Sequence, residues 1–517
     1  MIERILTVGG LTLVSRLTGF VRDIVLAYFL GAGPIADAFF VAWRLPNHFR
    51  AIFAEGAFNA AFVPAYARIR EQQGGDAVRV FADRIFTLMV VSQAVLLAGA
   101  LLFMPWVVAA LAPGFTNDPG RFDLAVTFTR VTFPSLMLMA LVTLYSGVLN
   151  ARERFAAAAA APILLNLAMI AALACAWLFP TAGHAAAWAV LVAGLLELLL
   201  VFGDAARAGA AVRFRRPRLD EQVKRFFKAL GPAVIGSSGV QLALLADTII
   251  ASFLARGAVS ALYYADRLNQ LPIGVIGIAA GTVVLPEMAR RIAAGDEAGA
   301  LQAQNRAIEF TLVLSVPCVA AFLLVPDLIM RALFARGAFT AADAAAAGAT
   351  LAAYTIGLLP FVLIRSVSAT FLARGDTWTP VKATLAAATV NIALKVALMG
   401  PLAQVGLALA TAIGAWINFG LVVLFASRAG LFGLDQRLKS SVVKVFAAGL
   451  ALALVVWLGQ YPVAELTRTW RLRDEAALAT LAIIGGLVYG GLIAVLFGRQ
   501  WLAAFRRRGT KAGATKE

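Results

Sequence analysis

The sequence predicts an all-α integral membrane protein of about fourteen transmembrane helices: two parallel six-helix repeats followed by two extra C-terminal helices. Three observations carry that expectation. Of 517 residues, 61% are hydrophobic and 14% charged, with mean hydropathy +0.85. Soluble domains run near half apolar and a quarter charged, so a soluble globular or disordered chain is excluded. Apolar stretches recur from one end to the other, each of the roughly twenty residues that cross ~30 Å of hydrocarbon. The third is a self-similarity between the two halves.

The spans are read in order as 5–30, 34–54, 80–111, 122–150, 157–179, 184–206, 223–255, 260–289, 307–334, 344–373, 378–400, 404–427, 440–460 and 476–504. Their length and their alanine and leucine content make them helices, which satisfy every backbone polar group within the segment. The first run begins like a signal peptide, but Arg16, Arg22 and Asp23 interrupt it and it continues past Leu30, so it reads as a retained span. The pair 223–255 and 260–289 is the least hydrophobic.

A formal charge of +17 on so apolar a chain needs sorting. With the N-terminus in the cytoplasm, 29 of the 45 Lys and Arg fall in cytoplasmic loops and tails, against seven in the opposite loops (Arg121, Arg256, Arg331, Arg336, Arg468, Arg471 and Arg473). The asymmetry places both termini in the cytoplasm. The run Arg213, Arg215, Arg216, Arg218 reads as a linker touching anionic membrane lipid, not as a nucleic-acid site. Nine cations remain inside spans: Arg16, Arg22, Arg44, Arg50, Arg84, Arg130, Arg267, Arg365 and Lys395. A charge at the bilayer centre costs at least ~2.5–3.5 kcal/mol. Snorkelling from a span end accounts readily for Arg84 and Arg130, and less readily for the cluster in the first two spans.

Compared with itself at an offset of about 224 residues, the chain aligns DIVLAYFLGAGPIADAFF (23–40) with DTIIASFLARGAVSALYY (247–264). Asp23 meets Asp247, Gly33 meets Gly257, and Phe39-Phe40 meets Tyr263-Tyr264. After one deletion, Arg44-Leu45 meets Arg267-Leu268. Six spans precede the second copy, so both copies enter the membrane in the same sense, a transporter plan with its site at the repeat interface. The domains are therefore 1–212, 213–430 and, for the last two helices with their basic tail, 431–517.

Arg16 and Asp23 share a face of the first helix, as Asp37 and Arg44 share a face of the second. Asp266 precedes Arg267 in the eighth. Arg16, Arg22, Arg44, Arg50 and Arg267 outnumber Asp23, Asp37, Asp247 and Asp266, with Glu55 and His48 near the cytoplasmic end of the second helix. Two readings stand: ion pairs that hold helices together, or a wet, net-positive cavity for an anionic substrate. Arginine suits the second, because its planar fork grips phosphate with two bonds and stays charged. Gly19, Gly33 and Gly257 are plausible bend points, or permit close packing. No Walker A sequence and no HExxH occurs, and Cys175 and Cys318 sit in apolar runs as small fillers. No metal, cofactor or catalysis is expected; a membrane potential or ion gradient would supply energy.

SRLTGFVRD (15–23), GAGPIADAFFVAWRLPNHFRAIFAEGAFNAAFVP (31–64) and YYADRL (263–268) resemble the MurJ (MviN) lipid II flippases of the multidrug, oligosaccharidyl-lipid and polysaccharide exporter superfamily. The likeness covers essentially the whole chain. It implies a multi-pass bacterial inner-membrane protein that moves the undecaprenyl-pyrophosphate-linked peptidoglycan precursor, lipid II, from the cytoplasmic to the periplasmic leaflet by alternating access. The family's cavity arginines fall on Arg16, Arg22, Arg50 and Arg267, and the acid of its AEGAF segment on Glu55. Helices 13 and 14 would form the groove for the lipid tail. Some relatives bind sodium between helices 7 and 11, where Asp247 and Asn391 stand here. Lys395, one turn after Asn391, would occupy the ion's place. The expected partners are lipid II, membrane lipids and other cell-wall synthesis proteins, with no nucleic acid; a monomer is expected. Two rivals stay open, another polyprenyl-linked oligosaccharide as cargo or a scaffold for cell-wall enzymes.

Overall fold

The computed structural model describes residues 2–50 and 57–510, and among them every regular element is helical. Among the described residues, nine helical stretches are long and apolar enough to cross a membrane. The predicted spans outside that set lie on α1 (Ile2–Leu30), α2 (Pro34–Arg50), α9 (Glu221–Ser252), and α10 (Ala258–Pro272) with α11 (Ile278–Ala293). The first four of these helices carry the charges singled out above.

Several spans expected to be continuous are broken, and proline explains most of the breaks. The 80–111 stretch divides into the end of α3 (Phe58–Leu102) and α4 (Met104–Leu111) beside Pro105. The 122–150 stretch divides at Pro134 into α5 (Pro119–Thr132) and α6 (Ser135–Asn150). The 307–334 stretch divides at Pro326 into α12 (Glu297–Leu324) and α13 (Pro326–Phe334). Proline cannot donate the helical hydrogen bond, and its ring clashes with the preceding turn. The 344–373 stretch divides into α14 (Ala341–Thr355) and α15 (Leu358–Leu372) around Gly357. By contrast 378–400 and 404–427 run on as α16 (Trp378–Arg428), kinked at Ala403, where φ is 48°.

The chain forms two compact units, Met1–Ser260 with Arg336–Thr340, and Ala261–Ala335 with Ala341–Glu517. The first compact unit therefore continues through α9. The reason is α9, which packs on α3 and α2. Inside the first unit α7 (Ala156–Ala174) lies on α1 and on α8 (Ala182–Arg207), and α2 lies on α5. An aromatic cluster of Phe58, Phe62, Phe81 and Phe226 joins α3 to α9.

The segment 208–220, which carries the run Arg213, Arg215, Arg216, Arg218, is fastened along α3. The N–H groups of Arg213 and Arg215 donate to Asp83 Oδ1 (2.8 Å) and Thr87 Oγ1 (3.0 Å). Arg84, within α3, pairs with Asp220, the N-cap of α9. In the second unit α12 packs on α15 and on α17 (Gln436–Thr467), and α17 packs on α18 (Arg473–Thr510). α17 turns Leu438, Val445, Ala448 and Leu452 inward and leaves Val443, Leu450 and Leu454 exposed, an amphipathic division suited to a helix with one face on lipid.

Candidate functional site

In the first unit, the turn between α9 and α10 is held by two charges buried among helix ends. Asp37, near the start of α2, is wholly buried. Its Oδ2 accepts from the N–H of Gly257 (2.7 Å), and its Oδ1 from the N–H and hydroxyl of Ser260 (2.9 and 2.6 Å). It thus caps the first turn of α10 from another helix, where unpaired N–H groups and the helix dipole favour an anion. Arg121 of α5 completes the grip. Its Nη1 lies 3.4 Å from Asp37 Oδ2, and its guanidinium donates to the carbonyls of Ser252 and Leu254 at the end of α9 (3.3 Å each). The same guanidinium stacks 4.0 Å above the Phe115 ring.

Around this core the chain is tied at further points. Arg256 makes a two-pronged bond to Asp118 (2.7 and 2.9 Å). That hydrogen bond holds the Asp118 carboxyl below its ordinary range. The N–H of Gly114 donates to Ser252 Oγ (3.0 Å), and a Cβ at Gly114 would lie 2.4 Å from the Ser252 backbone. The N–H of Ala338 donates to Tyr28 O (2.8 Å). Gly31, with φ of 64°, ends α1 there. Gly257, with φ of 86°, is left-handed as well.

One turn and more along α1 the chemistry changes. Arg22, 7% exposed, donates to Asp23 Oδ1 through Nε (3.0 Å) and Nη2 (2.7 Å), and to Asn166 Oδ1 through Nη1 (2.9 Å). Its guanidinium also lies 4.9 Å from the Trp43 ring centre. Asn166 of α7 is held in turn by Ser15 O (2.9 Å) and Thr18 Oγ1 (3.0 Å), and Gly19 packs against it. Arg16 is exposed and makes no hydrogen bond or ion pair to the described residues. Arg44, half-buried, has one long contact to Thr248 Oγ1 (3.5 Å).

The remaining expected residues are placed as follows. In the second unit Arg267 lies with its guanidinium 4.8 Å from the Tyr263 ring centre, and Asp266 accepts from Gln270 Nε2 (2.5 Å). Lys395, 2% exposed, is among the largest fully buried side chains. Asn391 packs against Gly414. Asp247, in the first unit, is half-buried. Glu55 lies outside the described residues, and the Arg50 side chain outside the described side chains. The structure therefore joins Arg22 with Asp23 but leaves Arg16 apart from Asp23. It gives Asp37 to the α9–α10 turn and not to Arg44.

Sequence reasoning missed Arg121, counted only as a loop cation, and also Ser260, Asn166 and Trp43. Asn166 had a signal, a lone amide in an otherwise apolar alanine-rich span, where polar side chains join helices.

Apolar spanning helices, arginines on helices beside them and a charge-capped turn define a multi-pass membrane protein. Residues 26–474 match the family model described as lipid II flippase MurJ. The chain belongs to the MurJ lipid II flippase family. A probable lipid II flippase MurJ of Rhizobium meliloti (strain 1021) is 40% identical, over 100% of this chain and 97% of that protein. A lipid II flippase MurJ of Burkholderia cenocepacia is 34% identical, over 98% and 99%. Among solved structures, a lipid II flippase MurJ in an inward closed conformation shares the fold at TM-score 0.81 and 22% identity, over 96% of this chain and 99% of that one. An inward-facing multidrug resistance MATE family transporter shares it at TM-score 0.66 and 15% identity, over 81% and 95%.

Proposed function

We propose that this chain flips lipid II from the cytoplasmic to the periplasmic leaflet by alternating access. One observation carries the assignment of the site: Arg16 stands exposed on a membrane helix with no acid beside it among the described residues. An uncompensated charge there costs at least ~2.5–3.5 kcal/mol unless it meets water or an anion. The pyrophosphate of the substrate is that anion. Arg16 and Arg44 bind it, with Arg50 and Arg267 contributing as the family resemblance implies. Arg22 is satisfied by Asp23 and Asn166 and positions α1 on α7.

The cation count assigns the Asp37 end to the periplasm and both termini to the cytoplasm. The capped α9–α10 turn is then a periplasmic closure, and the head group enters from the other side. The prenyl tail runs along the exposed face of α17. The protein works as a monomer beside other cell-wall synthesis proteins.

The six-helix repeat is supported by recurring left-handed turns: Gly74 with Gly295, Glu153 with Gly375, and Gly209 with Gly430. For coupling, Lys395 stands one turn after Asn391, where some relatives use sodium. The membrane potential, worth about 2.3 kcal/mol per charge per 100 mV, then returns the empty cationic site inward. The test is depletion of this chain in cells that have no other copy. Lipid II should accumulate in the inner leaflet; continued growth with unchanged leaflet distribution overturns the proposal.

A further inference from the structure

Two helices of the first unit, α3 and α9, enclose a cavity of about 380 Å³ between their first turns. On α3 the lining residues Ala60, Pro64 and Arg68 recur every four positions and so share one face. On α9 Arg225, Lys228 and Ala229 share a face in the same way. Beside them Phe226, which also lines the cavity, packs edge-on against Phe58 of α3 with ring centres 5.7 Å apart. That aromatic contact holds the two walls in place.

Among the described residues three cations line this cavity and no acid does. Arg225 is met by Glu221, one turn earlier on α9 (3.0 Å). Arg68 and Lys228 are exposed and make no hydrogen bond or ion pair to the described residues. The rest of the lining is small and apolar apart from one backbone group. Pro64 has no N–H to give to the carbonyl of Ala60, four positions earlier, so that acceptor lacks its α-helical donor. Two unpaired cations, a spare acceptor and an apolar floor together match a ligand that carries an anion, a hydroxyl and an apolar body.

We propose that this cavity holds the headgroup of an anionic glycerophospholipid, phosphatidylglycerol. Arg68 and Lys228 take the phosphate, Arg68 through the planar fork that suits phosphate oxygens. A headgroup hydroxyl donates to the Ala60 carbonyl, and the glycerol carbons lie on Pro64 and Ala229. Phe227, 43% exposed and next in sequence to Phe226, receives the acyl chains. Basic pockets between membrane helices at the cytoplasmic side take anionic headgroups, and the cation count assigns this end of α3 and α9 to the cytoplasm. An amine lipid would bring its ammonium among cations, where the Glu221 carboxylate is already taken by Arg225. A free phosphate ion would leave the apolar floor uncovered. No residue is shared with the lipid II site, so the two proposals fail separately.

The experiment is native mass spectrometry of the purified full-length protein with phosphatidylglycerol or phosphatidylethanolamine of identical acyl chains. The wild-type chain should retain phosphatidylglycerol preferentially, and inorganic phosphate at matched concentration should not displace it. Arg68→Gln and Lys228→Gln should each lower that retention by about ten-fold, the scale of one hydrogen bond to a charged group. Arg207→Gln removes an exposed cation at the end of α8, away from the cavity lining, and should leave retention unchanged. Both lining side chains are exposed and unpaired, so thermal midpoints should match wild type, and Lys228→Arg should keep the lipid. Equal retention of the two lipids, displacement by inorganic phosphate, undiminished retention in Arg68→Gln and Lys228→Gln, or an equal loss in Arg207→Gln overturns the proposal.

Discussion

Two regions of the first unit hold their charges in opposite ways. At the α9–α10 turn, Asp37 is wholly buried and meets four donors, and Arg121 meets three carbonyl or carboxylate partners around it. Along the inner length of α1 and α2, Arg16 has no protein partner among the described residues and Arg44 has one at 3.5 Å. A charge whose hydrogen bonds are all met inside the protein is committed to structure; a charge left unmet is available to a ligand. Asp37 and Arg44 are membrane-helix charges that look alike in sequence, so satisfaction and not residue type separates closure from binding.

The comparison can be broken from the closure side. Asp37→Ala strands Arg121 and the first turn of α10 without their acceptor. Removing one member of a buried pair costs about 3–5 kcal/mol, so the thermal midpoint of the purified protein should fall steeply and growth of a sole-copy strain should cease. An unchanged midpoint would remove Asp37 from the closure. Arg22→Ala should follow at about 1–3 kcal/mol, since it leaves Asp23 and Asn166 buried with an acceptor each unmet. Arg16→Ala should do the reverse. Its stability should stay within about 0.5 kcal/mol of wild type. Binding of a soluble pyrophosphate-sugar analogue should weaken about ten-fold, the loss of a charge-assisted contact, read by titration calorimetry.

The smallest effect is acid dependence at the rim of the closure. Asp118 titrates below its ordinary range chiefly because Arg256 hydrogen-bonds to it. Its stabilisation is therefore present above the usual aspartate value, about pH 3.9, and is lost as pH falls through the lowered one. Asp118→Asn should remove that component and flatten the acid limb of the unfolding curve; an unaltered limb would mean the pair contributes nothing.

Much of the fold is legible in the sequence, because span length and apolar composition are local properties. Helix breaks at Pro105, Pro134 and Pro326 were equally local, yet apolar continuity masked them. The site was legible only in part. Arg16, Arg22 and Arg44 stood out as costly charges, but which one a neighbour neutralises depends on partners remote in sequence, such as Asn166 for Arg22 and Thr248 for Arg44. Arg121 was hidden because a loop cation has no visible cost until the chain folds over it. Asp37 was seen, yet its partner was read along its own helix, where Arg44 shares its face, and not across to the start of α10.

The strap of residues 208–220 along α3 has a mechanical consequence. A segment whose N–H groups are spent on Asp83 and Thr87, and whose far end is joined to Arg84 through Asp220, cannot act as slack rope between helices. Any displacement of α9 is passed directly to α3, as through a rod and not a string.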